Sequence, residues 1–92
     1  GIREAAREKD WYDTITVDPR QAHEGEKVKY FHRRRSKELM VKIPSGIRDG
    51  QKIRLKGMGA FGQDGGESGD LYLAVKIRKP LLQQVRELLK MR

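Results

Sequence analysis

The chain contains no cysteine, which excludes a disulfide framework and any zinc site built on thiolates. That absence fits a reducing compartment, and the expected location is cytoplasmic. No apolar run approaches the roughly 20 residues that a membrane-spanning helix needs, and no stretch resembles a signal peptide. No membrane partner is therefore expected. Aromatic residues make up only 7% of 92 residues, so one small domain with a thin core is the most the chain can build. A chain of this length buries about 60–65% of its extended surface. The sequence opens on Gly1 rather than Met, and the expectation is that it belongs to a longer protein.

Positive charge is what the chain has in excess. Twenty-one Lys and Arg against 13 Asp and Glu leave a net charge of +8, which suits solubility and also attracts nucleic acid or acidic segments. Glycine is the other abundant residue. Eight of the ten glycines lie between Val41 and Val75, and the runs between them alternate apolar and polar residues. Leu39, Val41 and Ile43 share one face, Ile53 and Leu55 another, and Leu71, Leu73, Val75 and Ile77 a third. Period-two alternation bounded by Gly and Pro predicts half-buried strands. The order is strand, Pro-Ser-Gly turn, Asp-Gly turn, strand, long glycine-rich loop, strand.

Upstream, residues 1–10 read as a charged tail or linker, and a β-rich strand follows over Tyr12–Val17. Asp18-Pro19 predicts a helix start, with Asp as N-cap and Pro at the first helical position, and Gly25 a stop one turn later. Val28, Tyr30 and His32 alternate through the next strand. The basic run Arg33-Arg34-Arg35 is then expected as an exposed hairpin turn before Glu38–Ile43. Pro80 ends the last strand and opens a terminal helix over 80–92, where Leu81, Val85, Leu88 and Leu89 recur at helical spacing. That stripe buries either against its own sheet or against a second copy as a homodimer, packing in cis being the more frequent fate.

Several chemical motifs fail on context. Gly57-Met58-Gly59-Ala60-Phe61-Gly62 fits G-x-G-x-x-G, but Gln63-Asp64-Gly65-Gly66 follows where a nucleotide site needs a helix N-terminus. Asp64, Glu67 and Asp70 lack the spacing and closing Glu of a calcium loop. His23 and His32 have no partner at metal spacing, and no nucleophile–base pair stands out, so neither cofactor nor enzymatic activity is expected. Arg33, Arg34 and Arg35, with Tyr30 and Phe31 beside them, form the one basic run interleaved with aromatics, the pattern of a nucleic-acid contact.

The stretch IPSGIRDGQKIRLKGMG (Ile43–Gly59), followed by Gly65-Gly66 and GDLYLAVKI (Gly69–Ile77), resembles the C-terminal peptide-binding domain of DnaJ-type (J-domain) co-chaperones. DTITVDPRQAHEGEKVKY (Asp13–Tyr30) extends the resemblance back to about Tyr12, so that it covers about 70 of the 92 residues. It implies a mostly β fold over 11–79: a small two-sheet antiparallel β-sandwich with one short internal helix and a C-terminal helix. It also implies binding of unfolded polypeptide clients by strand addition, with a shallow apolar pocket, and delivery to a DnaK-type chaperone. Carried onto this chain, the pocket comprises Ile15, Val17, Val28, Tyr30 and Leu73, with His32 at a position that is usually aliphatic. No His-Pro-Asp tripeptide is present, so the J-domain that engages the DnaK-type partner is absent from this chain. One class in the family carries a zinc-binding insertion where this chain has only the basic run, so it resembles the class without zinc. Some DnaJ relatives bind DNA, which makes a basic DNA-binding module the alternative function.

Overall fold

The computed structural model describes residues 9–63, 65–79 and 81–90. Most of the N-terminal tail, Asp64 of the acidic loop trio and Pro80 lie outside the described residues.

Local chemistry sets the first elements. Strand β1 (Trp11–Val17) is stopped by Asp18, which caps the short helix α1 (Pro19–Glu24). The Asp18 carboxylate accepts the Gln21 backbone N–H at 2.7 Å, and the Gln21 side chain accepts the Asp18 N–H at 2.9 Å. This reciprocal box satisfies two donors that a six-residue helix would otherwise leave open. Gly25 ends the helix at φ +77, donating its N–H to the Gln21 carbonyl at 2.8 Å. Strands β2 (Glu26–His32) and β3 (Lys37–Ile43) then form an antiparallel hairpin, in register from Glu26↔Ile43 to His32↔Lys37. Strands β4 (Lys52–Leu55) and β5 (Leu71–Ile77) follow, and helix α2 (Leu81–Lys90) closes the described chain.

The strands make two sheets, one ordered β1-β5-β4 and the other β2-β3. The fold class is the expected one: mostly β, two small sheets, an internal helix and a C-terminal helix. One ladder departs from a purely antiparallel sandwich, because β1 runs parallel to β5, from Trp11↔Leu71 to Val17↔Ile77. Alternation decides which face of a strand is buried but not its partner or direction. Parallel neighbours need a long crossover, and here α1, β2, β3 and β4 together supply it.

The core lies between the sheets. Ile15, Val17, Leu71, Leu73 and Val75 from one sheet meet Val41 and Ile43 from the other, with Ala22 of α1 and Ile47 sealing one end. The two inner faces cover each other, and α2 is not part of that core. Its stripe is accordingly uncovered, with Leu81 76% and Leu88 68% exposed, which corrects the expectation of packing in cis. Among the described residues the helix is tied to the segment before it by Lys79 to Glu87 at 2.8 Å and by the Gln84 amide to the Lys79 carbonyl.

Candidate functional site

In a two-sheet sandwich the strand edges matter as much as the faces. Strand β1 pairs only with β5 and β2 only with β3, so each keeps one edge unpaired among the described residues. These edges face each other across an open groove of about 260 Å³ lined by Trp11, Asp13, Tyr30, His32, Arg34 and other neighbours. The Tyr30 hydroxyl bridges the groove by donating to the Asp13 carboxylate. That hydroxyl, joined by the Thr14 backbone N–H at 2.8 Å, holds the Asp13 carboxyl below the usual carboxylate range. Burial first, and the Asp13 carboxylate second, push the Tyr30 phenol far above its ordinary value. At neutral pH the bridge is therefore a neutral donor on a charged acceptor.

Its upper end is aromatic and basic. Trp11 meets the His32 ring edge-on at 5.5 Å, and the Arg34 guanidinium lies over the Trp11 ring at 4.6 Å. His32 is buried, and its Nε2 lies 2.7 Å from the Met58 carbonyl oxygen. A carbonyl can only accept, so Nε2 carries the proton. The His32 side chain is thus satisfied inside the protein by the Met58 carbonyl, at the inner wall of the groove.

The five residues expected to form the pocket separate in depth. Ile15, Val17 and Leu73 belong to the buried core, Leu73 at 0% exposure. Val28 and Tyr30 are half-buried and pack against that core from the β2 side. The structure thus brings Tyr30 together with Asp13, Trp11 and His32, and leaves Val17 and Leu73 beneath the surface.

The arginine run also separates. Arg33–Arg35 form a 3-10 turn closed by Ser36 in the left-handed conformation, and successive side chains in that turn diverge. Arg33 and Arg34 are exposed. Arg35 turns inward: its Nη2 donates to the carbonyls of Gly57 at 2.9 Å and Gly59 at 2.7 Å, and its guanidinium covers Phe61 at 3.9 Å. It is a clamp on the glycine-rich loop, not a free cation. A planar guanidinium suits this task because its fork reaches two carbonyls at once.

The loop itself is anchored at its legs. Gly59 donates to Gly69, Gly69 to Ala60, and Ala60 to Lys9, so its two legs pair while the chain passes alongside at Lys9. Asp70 closes the base, accepting the Gly57 N–H at 2.8 Å on one oxygen and Arg54 at 2.7 Å on the other. The Gly57 N–H, with Arg54 in support, holds the Asp70 carboxyl below its ordinary 3.8. A depressed carboxyl stabilises the fold fully above its unfolded value and loses that contribution as pH falls through the folded value. The Gly57 amide resonance is therefore expected to titrate with a midpoint below 3.8, and Asp70→Asn to abolish the titration. A midpoint at or above 3.8 would mean that the tether does not form in solution.

Trp11 and Asp13 are not among the site residues expected from sequence, yet the signal is there. They share the odd-numbered row with Ile15 and Val17, so a carboxylate falls at the open end of the inward row of β1, within reach of a donor across the groove. Among the described residues no cluster of His, Cys, Asp or Glu is placed to hold a metal ion.

Comparison with known proteins places this geometry. A family described as the DnaJ C terminal domain matches residues 8–90. The chain is similar to a curved DNA-binding protein of Serratia proteamaculans, 63% identical over 41 residues, which is 45% of this chain and 13% of that protein. It is similar to chaperone protein DnaJ 2 of Cutibacterium acnes, 49% identical over 43 residues, 47% of this chain and 11% of that protein. Chaperone protein DnaJ of Exiguobacterium sibiricum is 52% identical over 46 residues, 50% of this chain and 12% of that protein. The matched part is about an eighth of each relative's length.

Proposed function

The chain belongs to the DnaJ C-terminal domain family, which supports a chaperone-type function, and on that premise we propose that it binds non-native polypeptide in extended form along the facing edges of β1 and β2. The observation that carries this reading is the pair of unpaired strand edges beside the groove that Trp11, Tyr30 and Leu71 line. An edge offers free N–H and C=O groups, and a client strand can pair with them whatever its sequence. Val28 and Tyr30 would touch the client's side chains, with Ile15 and Leu73 as the floor beneath and Val17 deeper still. In the longer protein, a J-domain outside this chain would hand the client to a DnaK-type chaperone.

Magnitudes set the expected affinity. A few main-chain bonds contribute about 0.5–1.5 kcal/mol each, and one buried Leu or Phe side chain about 1.5–3 kcal/mol. Ordering the peptide offsets much of that, so binding is expected at about micromolar or weaker. The side chain seated on Tyr30 then decides which peptides bind. Tyr30→Ala is expected to weaken a Leu-rich peptide about 10–100-fold, whereas Tyr30→Phe, which keeps the ring and loses only the Asp13 bond, should bind nearly as wild type. Chemical-shift mapping checks the placement. Perturbations confined to the Gly57–Gly69 loop, with β1 and β2 silent, would move the site elsewhere.

A second reading, contact with DNA, is favoured by the exposure of Arg33 and Arg34 at the groove mouth, and relatives named curved DNA-binding protein match 45–46% of this chain. Removing both arginines should lower the salt dependence of binding by up to about two, about 0.9 for each phosphate no longer neutralised. Because Arg35 is engaged by the loop carbonyls, Arg35→Ala is expected to loosen the loop rather than reduce that slope. No binding to duplex DNA at low salt would exclude this reading.

A further inference from the structure

The outer face of the three-stranded sheet carries side chains that the core does not use, and of these Tyr12 alone also borders the edge groove. The register aligns Tyr12, Tyr72 and Arg54 in one row across β1, β5 and β4, and Thr14, Ala74 and Lys52 in the next. Thr16 and Lys76 continue the pattern. Tyr12 is 64% exposed, and its ring stacks on Tyr72 with centroids 5.4 Å apart and planes 16° from parallel. Lys52 holds its ammonium 5.8 Å from the Tyr12 ring centroid. The small side chain of Ala74 leaves a depression of about 390 Å³ beside the rings, bounded by Thr14 and Lys52.

We infer that this face is a stacking platform for single-stranded nucleic acid, distinct from the edge groove and from the Arg33–Arg34 turn. Three features point to that occupant. Flat aromatic faces on a sheet accept unstacked bases whatever their identity. Lys52 and Lys76 make no ion pair among the described residues, leaving both ammonium groups for phosphates, in a chain of net charge +8. Finally, the face is the interior of a hydrogen-bonded sheet and offers no main-chain donors or acceptors to an added peptide strand. Of the carboxylates bordering it, Asp13 is engaged by the Tyr30 hydroxyl and the Thr14 N–H, Asp70 by Arg54 and the Gly57 N–H, Asp10 by the Asp70 N–H and Asp49 by the Ile77 N–H, while Glu67 lines the hollow that Tyr72 shares with Asp10 and Asp70. The attraction thus rests on the two lysines and the two rings.

The test is fluorescence anisotropy of a labelled oligothymidine of about 10 nucleotides, within the range of site sizes for such surfaces, against the full 92-residue chain. Tyr12→Leu and Tyr72→Leu keep an apolar side chain on the strand and remove the ring; each is expected to weaken binding about tenfold. Lys52→Ala and Lys76→Ala should each lower the salt slope by about 0.7. Circular dichroism melting confirms that each variant is folded. If a ring variant is not, Ala74→Leu fills the depression without removing either ring and should also weaken binding. Any of three results overturns the inference: no binding at low salt, ring variants that bind as wild type, or duplex DNA bound as tightly as the single strand. Loss of binding on replacing Arg33 and Arg34 with alanine also overturns it by moving the contact to the hairpin turn. Displacement of the oligonucleotide by polyglutamate at equal charge concentration reduces the face to a general anion attractor and overturns it as well.

Discussion

Replacing Gly25 with alanine is expected to destabilise the domain by about 2–5 kcal/mol, the sum of a strained backbone and an overfilled site. The backbone there sits at φ +77 and ψ 141, a region that side chains other than hydrogen rarely adopt. A Cβ would also come within 2.7 Å of the Ile43 carbonyl oxygen and of the Ser45 nitrogen, both main-chain atoms that cannot move aside alone. Domains of this size have roughly 5–10 kcal/mol in total, so the variant should lose about half of it. Urea denaturation checks this, the midpoint falling by about 1–3 M for ordinary slopes. Gly46→Ala is the matched control, since Gly46 also has φ +77 but open space where the Cβ would be. If the two variants lose equal stability, the close approach of Gly25 to the end of β3 is wrong.

Leu73→Ala is the second large effect, about 2–5 kcal/mol for removing a leucine from a filled core. Leu73 is fully buried on the central strand of its sheet, with Ile53 opposite it on β4 and Asp13 opposite it on β1. From sequence the same residue is expected to line the client pocket, and the two roles make different demands. As floor, Leu73 affects binding only through the folded fraction, so peptide affinity corrected for unfolding should change little. If instead stability is preserved and corrected affinity falls tenfold or more, the leucine meets the client directly.

What can be read from the residues follows their local chemistry. Asp18-Pro19 and Gly25 mark the ends of α1 because capping and positive φ are decided within a few residues. Leu71–Ile77 is legible end to end because alternation is a property of one strand alone. The parallel pairing of β1 with β5 is not legible, since a partner sixty residues away leaves no trace in the pattern of either strand. Arg35 reads in sequence as a surface cation like its neighbours, because the direction of a side chain in a 3-10 turn depends on the Gly57 and Gly59 carbonyls it finds. Burial of Ile15, Val17 and Leu73 illustrates a further limit. Inward alternation predicts contact with the interior, but whether that interior is closed or opens as a groove depends on how the sheets meet.

The parallel ladder also sets when this domain can fold. The β2–β3 hairpin closes over only a tight turn, whereas β1 waits for a partner about sixty residues downstream, as the bond from the Asp70 N–H to the Asp10 carboxylate illustrates. Loop-closure entropy places such contacts late. On the ribosome, at about 5–20 residues per second, β1 is synthesised about 3–12 s before β5. During that interval Ile15 and Val17 have no sheet to enter, and the nascent strand is itself an extended, apolar, unpaired segment, of the kind that the finished β1–β2 edge is proposed to bind.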